Sequence, residues 1–295
     1  MKIAFQSDLH LEASDIYVSN PDNADVLILA GDIAVVSRMA DFNDESDNYH
    51  SQRYHEFFIR CSQCFDHVIM VCGNHEFYHG DIKDTVDKLK QYLKYIPNLH
   101  ILNNESIEIN GYLFCGATLW TDMNNEDVDT LYTIKSRMND FKLISNRSNI
   151  VEYKVDGERK YRISNLLPID TVQLHRKSVE YFESMLQLDK KTIIISHHTP
   201  SFKSVAPQWA ADTLTNGAYH SDLAWLINKY DNLKGWFCGH THDRHCYTIN
   251  QATILCNPRG YRNHDAGYDT FMMQVTDIED TSEILDSQYW SFFPR

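Results

Sequence analysis

The chain has 295 residues, 43% of them hydrophobic and 23% charged, which is ordinary for a soluble globular protein and enough for an ample core. Its formal net charge of −14 argues against a general binder of nucleic acid or of a membrane surface. Seven scattered cysteines indicate reduced thiols rather than a disulfide framework, and the first residues are too polar for a signal peptide, so we expect a cytoplasmic protein.

Short apolar runs with little alternation recur along the chain, as expected for strands that are buried on both faces. In chain order, the predicted strands are residues 3–5, 26–30, 68–72, 112–119, 193–195, 236–238, 253–256 and 271–275. Amphipathic spacing predicts helices at residues 49–64, 81–95, 169–188 and 220–230. Strands that alternate with helices indicate a layered α/β fold, in one domain that spans residues 1–295.

Residues 121–166 interrupt this rhythm, because they are polar and lack long apolar strands. Within them, VEYKVDGERKYRI alternates on both sides of Asp156-Gly157, a dipeptide that suits a type I′ turn, so we predict an insertion with a helix and a β-hairpin. The hairpin is either a solvated surface ribbon or a flap that helps to hold an anionic substrate. In the flap, the positive charge would come from Lys154, Arg159, Lys160 and Arg162.

Side chains that bind metals and move protons follow five of the predicted strands. Ligands of open α/β sheets bind beyond the carboxyl ends of the strands, so we expect these side chains to meet. Two divalent cations ~3.5–4 Å apart can hold both reacting oxygens of a phosphate ester, and they require a bridging carboxylate, hard oxygens and neutral imidazoles. The set is Asp8, His10, Asp32, Asn74, His75, His197 or His198, His240 and His242.

The motifs DLH, GD, GNHE, SHH and GHTH, in this order, resemble those of the calcineurin-like metallophosphoesterase superfamily. The stretches GATLWT, MND, HTPS and NPRGY resemble a bacterial and phage branch of it, and extend the similarity over nearly the whole chain. The resemblance implies a four-layer α/β/β/α sandwich of the metallophosphoesterase type, with the 121–166 insertion over or near the active site. It also implies the cytosol of a bacterium or of a phage-infected host.

The resemblance further implies a role for each member of the set. Asp32 would bridge two divalent cations, and a hydroxide between them would attack phosphorus. His75 would bind no metal and would stabilise charge or protonate the leaving group, with Glu76 behind it as an orienting group. The remaining ligands would be Asp8, His10 and His242 for one metal, and Asn74, His197 and His240 for the other, with His198 as the alternative to His197.

Three further residues are candidates for substrate contacts. Arg259 follows a strand and a proline, so it lies in a loop, where it either forms a surface salt bridge or holds a phosphate oxygen in bidentate fashion. Asn257 belongs to the same NPRGY stretch, and Asp140 belongs to the MND stretch that resembles the bacterial and phage branch.

Three functions are compatible with this pattern. The first is a dinuclear-metal-dependent phosphoesterase that hydrolyses a phosphodiester or phosphomonoester of a nucleotide-like small molecule and forms no stable complex with nucleic acid or membrane. The second is a DNA-processing nuclease, which would need a basic channel that a net charge of −14 disfavours. The third is a non-catalytic scaffold, which predicts broken ligands, and none is broken. The donor set fits manganese, iron, zinc or nickel about equally well, and the pattern leaves the oligomeric state open.

Overall fold

The computed structural model describes residues 1–42 and 49–290. The strands in these ranges are β1 (Lys2–Gln6), β2 (Val26–Ala30), β3 (His67–Val71), β4 (Leu99–Ile101), β5 (Glu105–Ile109), β6 (Tyr112–Ala117), β7 (Ser145–Val155), β8 (Glu158–Asn165), β9 (Thr192–Ser196), β10 (Leu233–Cys238), β11 (His245–Ile249), β12 (Ala252–Cys256) and β13 (Gln274–Asp277). The helices are α1 (Tyr49–Cys64), α2 (Thr85–Leu93), α3 (Met123–Glu126), α4 (Val128–Arg137), α5 (Asp140–Leu143), α6 (Pro168–Leu186), α7 (Thr213–Asn216), α8 (Ala224–Lys229) and α9 (Ser282–Asp286).

Two large sheets pack face to face. The first has the order β13-β1-β2-β3-β4, in which β13 is antiparallel to β1 and the other neighbours are parallel. The second has the order β11-β12-β10-β9-β6-β5, in which only the edge strands β11 and β5 are antiparallel to their neighbours. Helices α1 and α2 pack on the outer face of the first sheet, and α6 and α8 pack on that of the second. The predicted four-layer α/β/β/α sandwich is confirmed.

The central strands bury both of their faces, which explains their nearly continuous apolar runs. In β2, Val26 and Ile28 point into the core between the two sheets, whereas Leu27 and Leu29 pack against the helix layer. All five residues of the strand are buried. The parallel strands β1, β2 and β3 therefore end on one edge of the sandwich with almost no freedom of register.

The eight strands that the sequence predicts are all present, although the last begins at Gln274 rather than at residue 271. The pattern did not reveal β4, β5 or β11. These are edge strands, and β5 reads ESIEI with most of its side chains at least partly exposed, so it lacks a buried apolar run. The four predicted helices are present, and α1 has the predicted bounds. Helix α6 is shifted by one or two residues at each end, whereas α2 and α8 are shorter than predicted and start at Thr85 and Ala224 instead of residues 81 and 220.

Residues 121–166 fold into α3, α4 and α5 followed by the hairpin of β7 and β8. Asp156 and Gly157 both have positive φ, 52° and 83°, as a type I′ turn requires. The two strands pair in register from Ile150 opposite Ile163 to Val155 opposite Glu158. Within the described ranges, no helix combines the length and the apolar composition that a membrane crossing needs.

Candidate metal centre

Main-chain hydrogen bonds tie the loop after β1 to the loop after β2, and the loop after β9 to the loop after β10. The amide of Asp8 donates to the carbonyl of Gly31 at 2.9 Å, and the amide of His10 donates to the carbonyl of Asp32 at 3.0 Å. In the second sheet, the amide of Gly239 donates to the carbonyl of His197 at 2.9 Å. Because the loops brace one another, the side chains that they carry are held in a fixed arrangement before any ligand binds.

The carboxylate of Asp32 lies between two groups of histidines. Its Oδ1 is 3.4 Å from Nε2 of His197, and its Oδ2 is 3.9 Å from Nε2 of His10. Burial alone would raise the pKa of Asp32, but the nearby histidines outweigh it and hold the pKa well below the usual value. A buried, ionised carboxylate that presents one oxygen to each group has the geometry of a bridging ligand.

The first group consists of Asp8, His10 and His242. Nε2 of His242 lies 3.5 Å from Oδ1 of Asp8 and 3.1 Å from Nε2 of His10, so two imidazole nitrogens and one carboxylate oxygen converge. The other nitrogen of His242 is held by Asp265 at 2.8 Å, which fixes the direction of the ring. The three donors are close enough together to share one cation.

The second group consists of Asn74, His197 and His240, again with Asp32. Oδ1 of Asn74 lies 3.1 Å from Nε2 of His197. Nε2 of His240 is buried and has no hydrogen-bond partner among the described residues, and burial holds the pKa of this imidazole well below its usual value. Burying a neutral imidazole nitrogen without a partner costs free energy unless the nitrogen binds a ligand, and a divalent cation is a suitable ligand. The donor set therefore fits a second metal.

His197, rather than His198, faces this group. Nδ1 of His197 donates to the carbonyl of Ala30 at 2.9 Å, which leaves Nε2 free to point towards Asp32. His198 lies behind, where Nδ1 contacts the carbonyl of Thr118 at 3.2 Å and the ring packs 4.2 Å from that of His240. The two adjacent histidines point in different directions because they leave the strand end on opposite sides.

Five of these residues have a left-handed main-chain conformation, which is unusual in residues other than glycine. Left-handed φ in a non-glycine residue costs on the order of 1–3 kcal/mol and persists only when the surroundings impose it. The φ angles are 51° for Asp8, 46° for His10, 56° for Asp32, 71° for His240 and 55° for His242. Nearby glycines leave room for these side chains, since a Cβ on Gly73 would collide with the carboxylate of Asp32.

His75 lies beside the two groups and lines the cavity above them. Its Nδ1 contacts Oε1 of Glu12 at 3.0 Å, and the same carboxylate oxygen is 3.1 Å from Nδ1 of His10. Nε2 of His75 is 3.4 Å from the hydroxyl of Tyr261 and 3.9 Å from Oδ2 of Asp32. This second nitrogen of His75 therefore faces both the cavity and the carboxylate of Asp32.

Glu76 does not orient His75, contrary to the prediction. Its buried carboxylate points the other way, into the turn after β2, and accepts four main-chain hydrogen bonds at 2.6–3.0 Å. The donors are the amides of Asp32, Ile33, Ala34 and Gly73. Glu76 thus fixes the two loops that carry Asp32 and His75, and Glu12 is the residue that holds the His75 ring.

Asp140 also has a role other than the predicted substrate contact. Its Oδ1 accepts hydrogen bonds from the amide nitrogen of Asn74 at 2.9 Å and from the hydroxyl of Tyr78 at 2.8 Å. Because the amide nitrogen of Asn74 is held in this way, its oxygen must face His197. Asp140 is buried and does not line the cavity among the described residues.

Arg259 and Asn257 support the loops instead of reaching a substrate. The guanidinium of Arg259 donates to the carbonyls of Leu9, Ser14 and Asp15 and to the hydroxyl of Tyr268. Asn257 donates to the carbonyls of Phe5 and Met272, and it accepts from Tyr289 at 2.8 Å. Neither residue lines the cavity, so the structure gives the NPRG stretch a bracing role for the loop after β1.

Glu12, Tyr261 and Asp265 are the site residues that sequence reasoning missed. The ring of Tyr261 stacks on that of His10 with centroids 4.0 Å apart. A signal for Glu12 was present, since it follows His10 at the same two-residue interval that separates His10 from Asp8. Asp265 carried no such signal, because it lies 23 residues beyond His242 in an irregular loop.

The hairpin does not reach the cavity. From residues 121–166, the cavity is lined by Arg137, Met138 and Asn139, which follow one another at the end of α4. The basic residues Lys154, Arg159, Lys160 and Arg162 do not line it and are exposed. This favours the solvated ribbon over the flap.

A family model described as calcineurin-like phosphoesterase matches residues 1–244, more than half of the chain. The chain belongs to the calcineurin-like phosphoesterase family. The chain is 26% identical over 293 residues to the uncharacterized protein L509 of Acanthamoeba polyphaga mimivirus, with 91% of this chain and 94% of that protein covered. The crystal structure of a phosphopantetheinyl hydrolase from Mycobacterium tuberculosis is similar in fold, with a TM-score of 0.58 at 16% identity over 88% of this chain and 89% of that one.

Proposed function

We propose that this protein is a dinuclear-metal-dependent phosphoesterase that hydrolyses a small phosphodiester or phosphomonoester. The observation that carries the proposal is the position of Asp32, whose two carboxylate oxygens face two separate groups of metal-binding side chains. Membership of the calcineurin-like phosphoesterase family supports the same chemistry.

In this proposal, the seven converging residues hold two divalent cations. When bound, the cations would supply a water molecule of lowered pKa as the nucleophile and would neutralise negative charge on the phosphate. The open Nε2 of His240 and the paired nitrogens of His10 and His242 support this ligand set. The proposed ligands are Asp8, His10 and His242 for one metal, Asn74, His197 and His240 for the other, and Asp32 for both.

His75 is the proposed proton donor to the leaving group. Burial would lower the pKa of its imidazole, but the carboxylates of Asp32 and Glu12 outweigh it and raise the pKa to about 9. A protonated ring would present its Nε2–H to the cavity. Glu12 would hold the ring through Nδ1 and fix its direction.

The charge of the cavity does not support the nuclease alternative. Arg137 is the only lysine or arginine among the described residues that line it, against four aspartates. A channel for a nucleic-acid backbone needs a row of cations, because affinity comes mainly from neutralised phosphates. A small ester, by contrast, needs only the charge that the two metals provide.

The experiment is removal and return of metal. Purified protein is treated with a chelator and divided, and the portions are loaded with manganese, iron, zinc or nickel. Metal content is then measured by inductively coupled plasma mass spectrometry, and hydrolysis of bis-(p-nitrophenyl) phosphate is compared with that of p-nitrophenyl phosphate. We expect two ions per chain and turnover only in loaded samples. Loaded protein with two ions and no turnover of either ester would support the non-catalytic scaffold instead.

A further inference from the structure

One cavity of about 510 Å³ opens above the candidate metal centre and extends well beyond it. The ring of Tyr219 lies 4.7 Å from that of His240, and its hydroxyl contacts the sulfur of Met138. Past Met138, the wall continues through Arg137 to Asp212. A phosphate at the metal centre would therefore leave this distal half of the cavity for the rest of the ester.

Among the described residues that line the distal half, the one cationic side chain is that of Arg137, and it forms a half-exposed ion pair with Asp212. Nη1 of Arg137 lies 3.3 Å from Oδ2 of Asp212 and donates to Oγ1 of Thr215 at 2.7 Å. Asp212 is itself held in place, because its other oxygen accepts from the amide of Thr215 at the start of α7. A second phosphate in this half would meet no unpaired positive charge from the described residues that line the cavity, and it would lie close to a fixed carboxylate.

The distal half of the cavity also carries apolar side chains. Val205, Ala206 and Met138 line it, and Trp209 stands at its edge with 60% of the side chain exposed. The main chain of Trp209 is held by two hydrogen bonds. Its carbonyl accepts from Asn216 at 2.9 Å, and its amide donates to the carbonyl of Ala206. An exposed aromatic side chain on a fixed turn beside a cavity is suited to stack on a planar group.

We propose that Met138, Val205, Ala206 and Trp209 form a subsite for an uncharged, ring-bearing alcohol portion of the substrate. We further propose that the Arg137–Asp212 pair makes this subsite reject a second phosphate. The inference rests on the proposed function, since it places the scissile phosphate at the metal centre. It narrows the substrate to esters with one phosphate and a neutral ring-bearing group, and it excludes nucleoside polyphosphates.

The test compares esters that share one scissile bond and one reporter. Three substrates serve: methyl p-nitrophenyl phosphate, the p-nitrophenyl ester of thymidine 5′-monophosphate, and the same thymidine ester with a second phosphate at the 3′ position. We expect the thymidine ester to have the highest kcat/KM, and we expect the added 3′ phosphate to lower it by about tenfold through KM. Binding of thymidine 5′-monophosphate and thymidine 3′,5′-bisphosphate, measured by calorimetry, should show the same order.

Two variants assign the effects to their residues. Trp209→Ala should lower kcat/KM for the thymidine ester by about tenfold, as expected for loss of a base–aromatic stack, and less for the methyl ester. Trp225→Ala is the matched control, since Trp225 is an exposed tryptophan that does not line the cavity. Asp212→Asn keeps a residue that can begin α7 but removes the negative charge that pairs with Arg137. With this variant, most of the kcat/KM that the 3′ phosphate costs should be recovered.

The outcomes separate this inference from the proposed function. If metal-loaded protein hydrolyses the methyl ester but has the same kcat/KM for the two thymidine esters, the proposed subsite is contradicted. The proposed phosphoesterase activity would still stand. The subsite is also wrong if Trp209→Ala behaves like Trp225→Ala. If loaded protein hydrolyses none of the three esters, the proposed function fails and this subsite has no substrate to select.

Discussion

Glu12 holds the ring of His75, with 3.0 Å between Oε1 of the carboxylate and Nδ1 of the imidazole. Burial would raise the pKa of Glu12, but hydrogen bonds from His10 and His75 outweigh it and hold the pKa at about 2. Glu12 therefore stays ionised over the whole range in which such an enzyme is assayed. One carboxylate thus links a proposed metal ligand to the proposed proton donor.

Glu12→Gln removes the negative charge of Glu12 but keeps the size of its side chain, so it tests the effect of the charge. Losing the negative charge removes one of the causes that raise the pKa of His75, so the alkaline limb of the kcat profile should move to lower pH. We also expect activity or metal affinity to fall by about 10–100-fold, as for other partners that orient metal-bound histidines. The pH–rate profile with bis-(p-nitrophenyl) phosphate measures both. Glu108→Gln, which alters an exposed pair with Lys190, is the control, and an unmoved alkaline limb would contradict the assigned role.

His75→Ala should keep both metals and lose turnover. Nδ1 of His75 is engaged by Glu12, and Nε2 lies 3.9 Å from Oδ2 of Asp32. His10, Asp32 and His75 are close enough together to share a cation, but the proposal assigns His75 as the proton donor, so its removal should leave both metals bound. General acids typically contribute ~10²–10⁴-fold, and we expect a loss of kcat in that range. Metal content and kcat are measured on the same sample, with His100→Ala on an edge strand as the control. A fall of metal content in step with kcat would make His75 a ligand.

Asp32→Ala should have the largest effect of any single substitution in the set. It removes the one side chain that faces both groups, and it leaves two cations without the anion between them. It also removes the acceptor of the His75 amide at 2.9 Å. We expect fewer than two ions per chain and a loss of activity of at least about a thousandfold, since metals supply several kcal/mol of transition-state stabilisation. Asp66→Ala, at an exposed position, is the control. Near wild-type turnover with two ions still bound would refute the bridge.

The ligand residues were predictable because strand position determines where they lie. Parallel strands end on one edge, so Asp8, Asp32 and Asn74 had to meet whatever the details of their loops. Side-chain direction was not predictable in the same way. Glu76 follows His75 directly, yet it points into the turn after β2, because four buried amides there require an acceptor.

Partners that arrive from distant loops were also beyond the sequence pattern. Tyr261 reaches His10 only because the NPRGY stretch is bonded along the loop after β1, with the amide of Gly260 donating to the carbonyl of Asp8. From its charge and its place in a loop, Arg259 was predicted to form either a surface salt bridge or a contact to a phosphate oxygen. Charge and loop position cannot tell a side chain that faces a cavity from one that satisfies buried carbonyls.

Glu76→Gln should destabilise the fold, and not only the site. An amide offers one oxygen where the carboxylate has two, and its NH₂ group would face main-chain N–H donors. Two of the four buried amides would lose their acceptor, which costs about 1–3 kcal/mol each, so we expect a loss of about 2–6 kcal/mol. Urea unfolding measures the change. Glu56→Gln, on the exposed side of α1, should stay within about 0.5 kcal/mol of wild type. A cost below about 1 kcal/mol for Glu76→Gln would show that these amides find other acceptors.

The outer hairpin can be removed to ask whether its charge matters to the substrate. Ile150 and Ile163 face each other across the two strands, so replacing residues 151–162 with Asn-Gly closes the hairpin through a two-residue turn. None of the four basic residues lines the cavity, and exposed charges are screened over ~8–10 Å at physiological salt. We therefore expect kcat/KM to stay within about twofold for both a thymidine ester and a small diester. A second variant, with Lys154, Arg159, Lys160 and Arg162 changed to Gln in the full-length hairpin, separates charge from shape. The flap would be supported, and the solvated ribbon contradicted, if both variants lost tenfold in kcat/KM on the thymidine ester alone. Added salt should then reduce that loss.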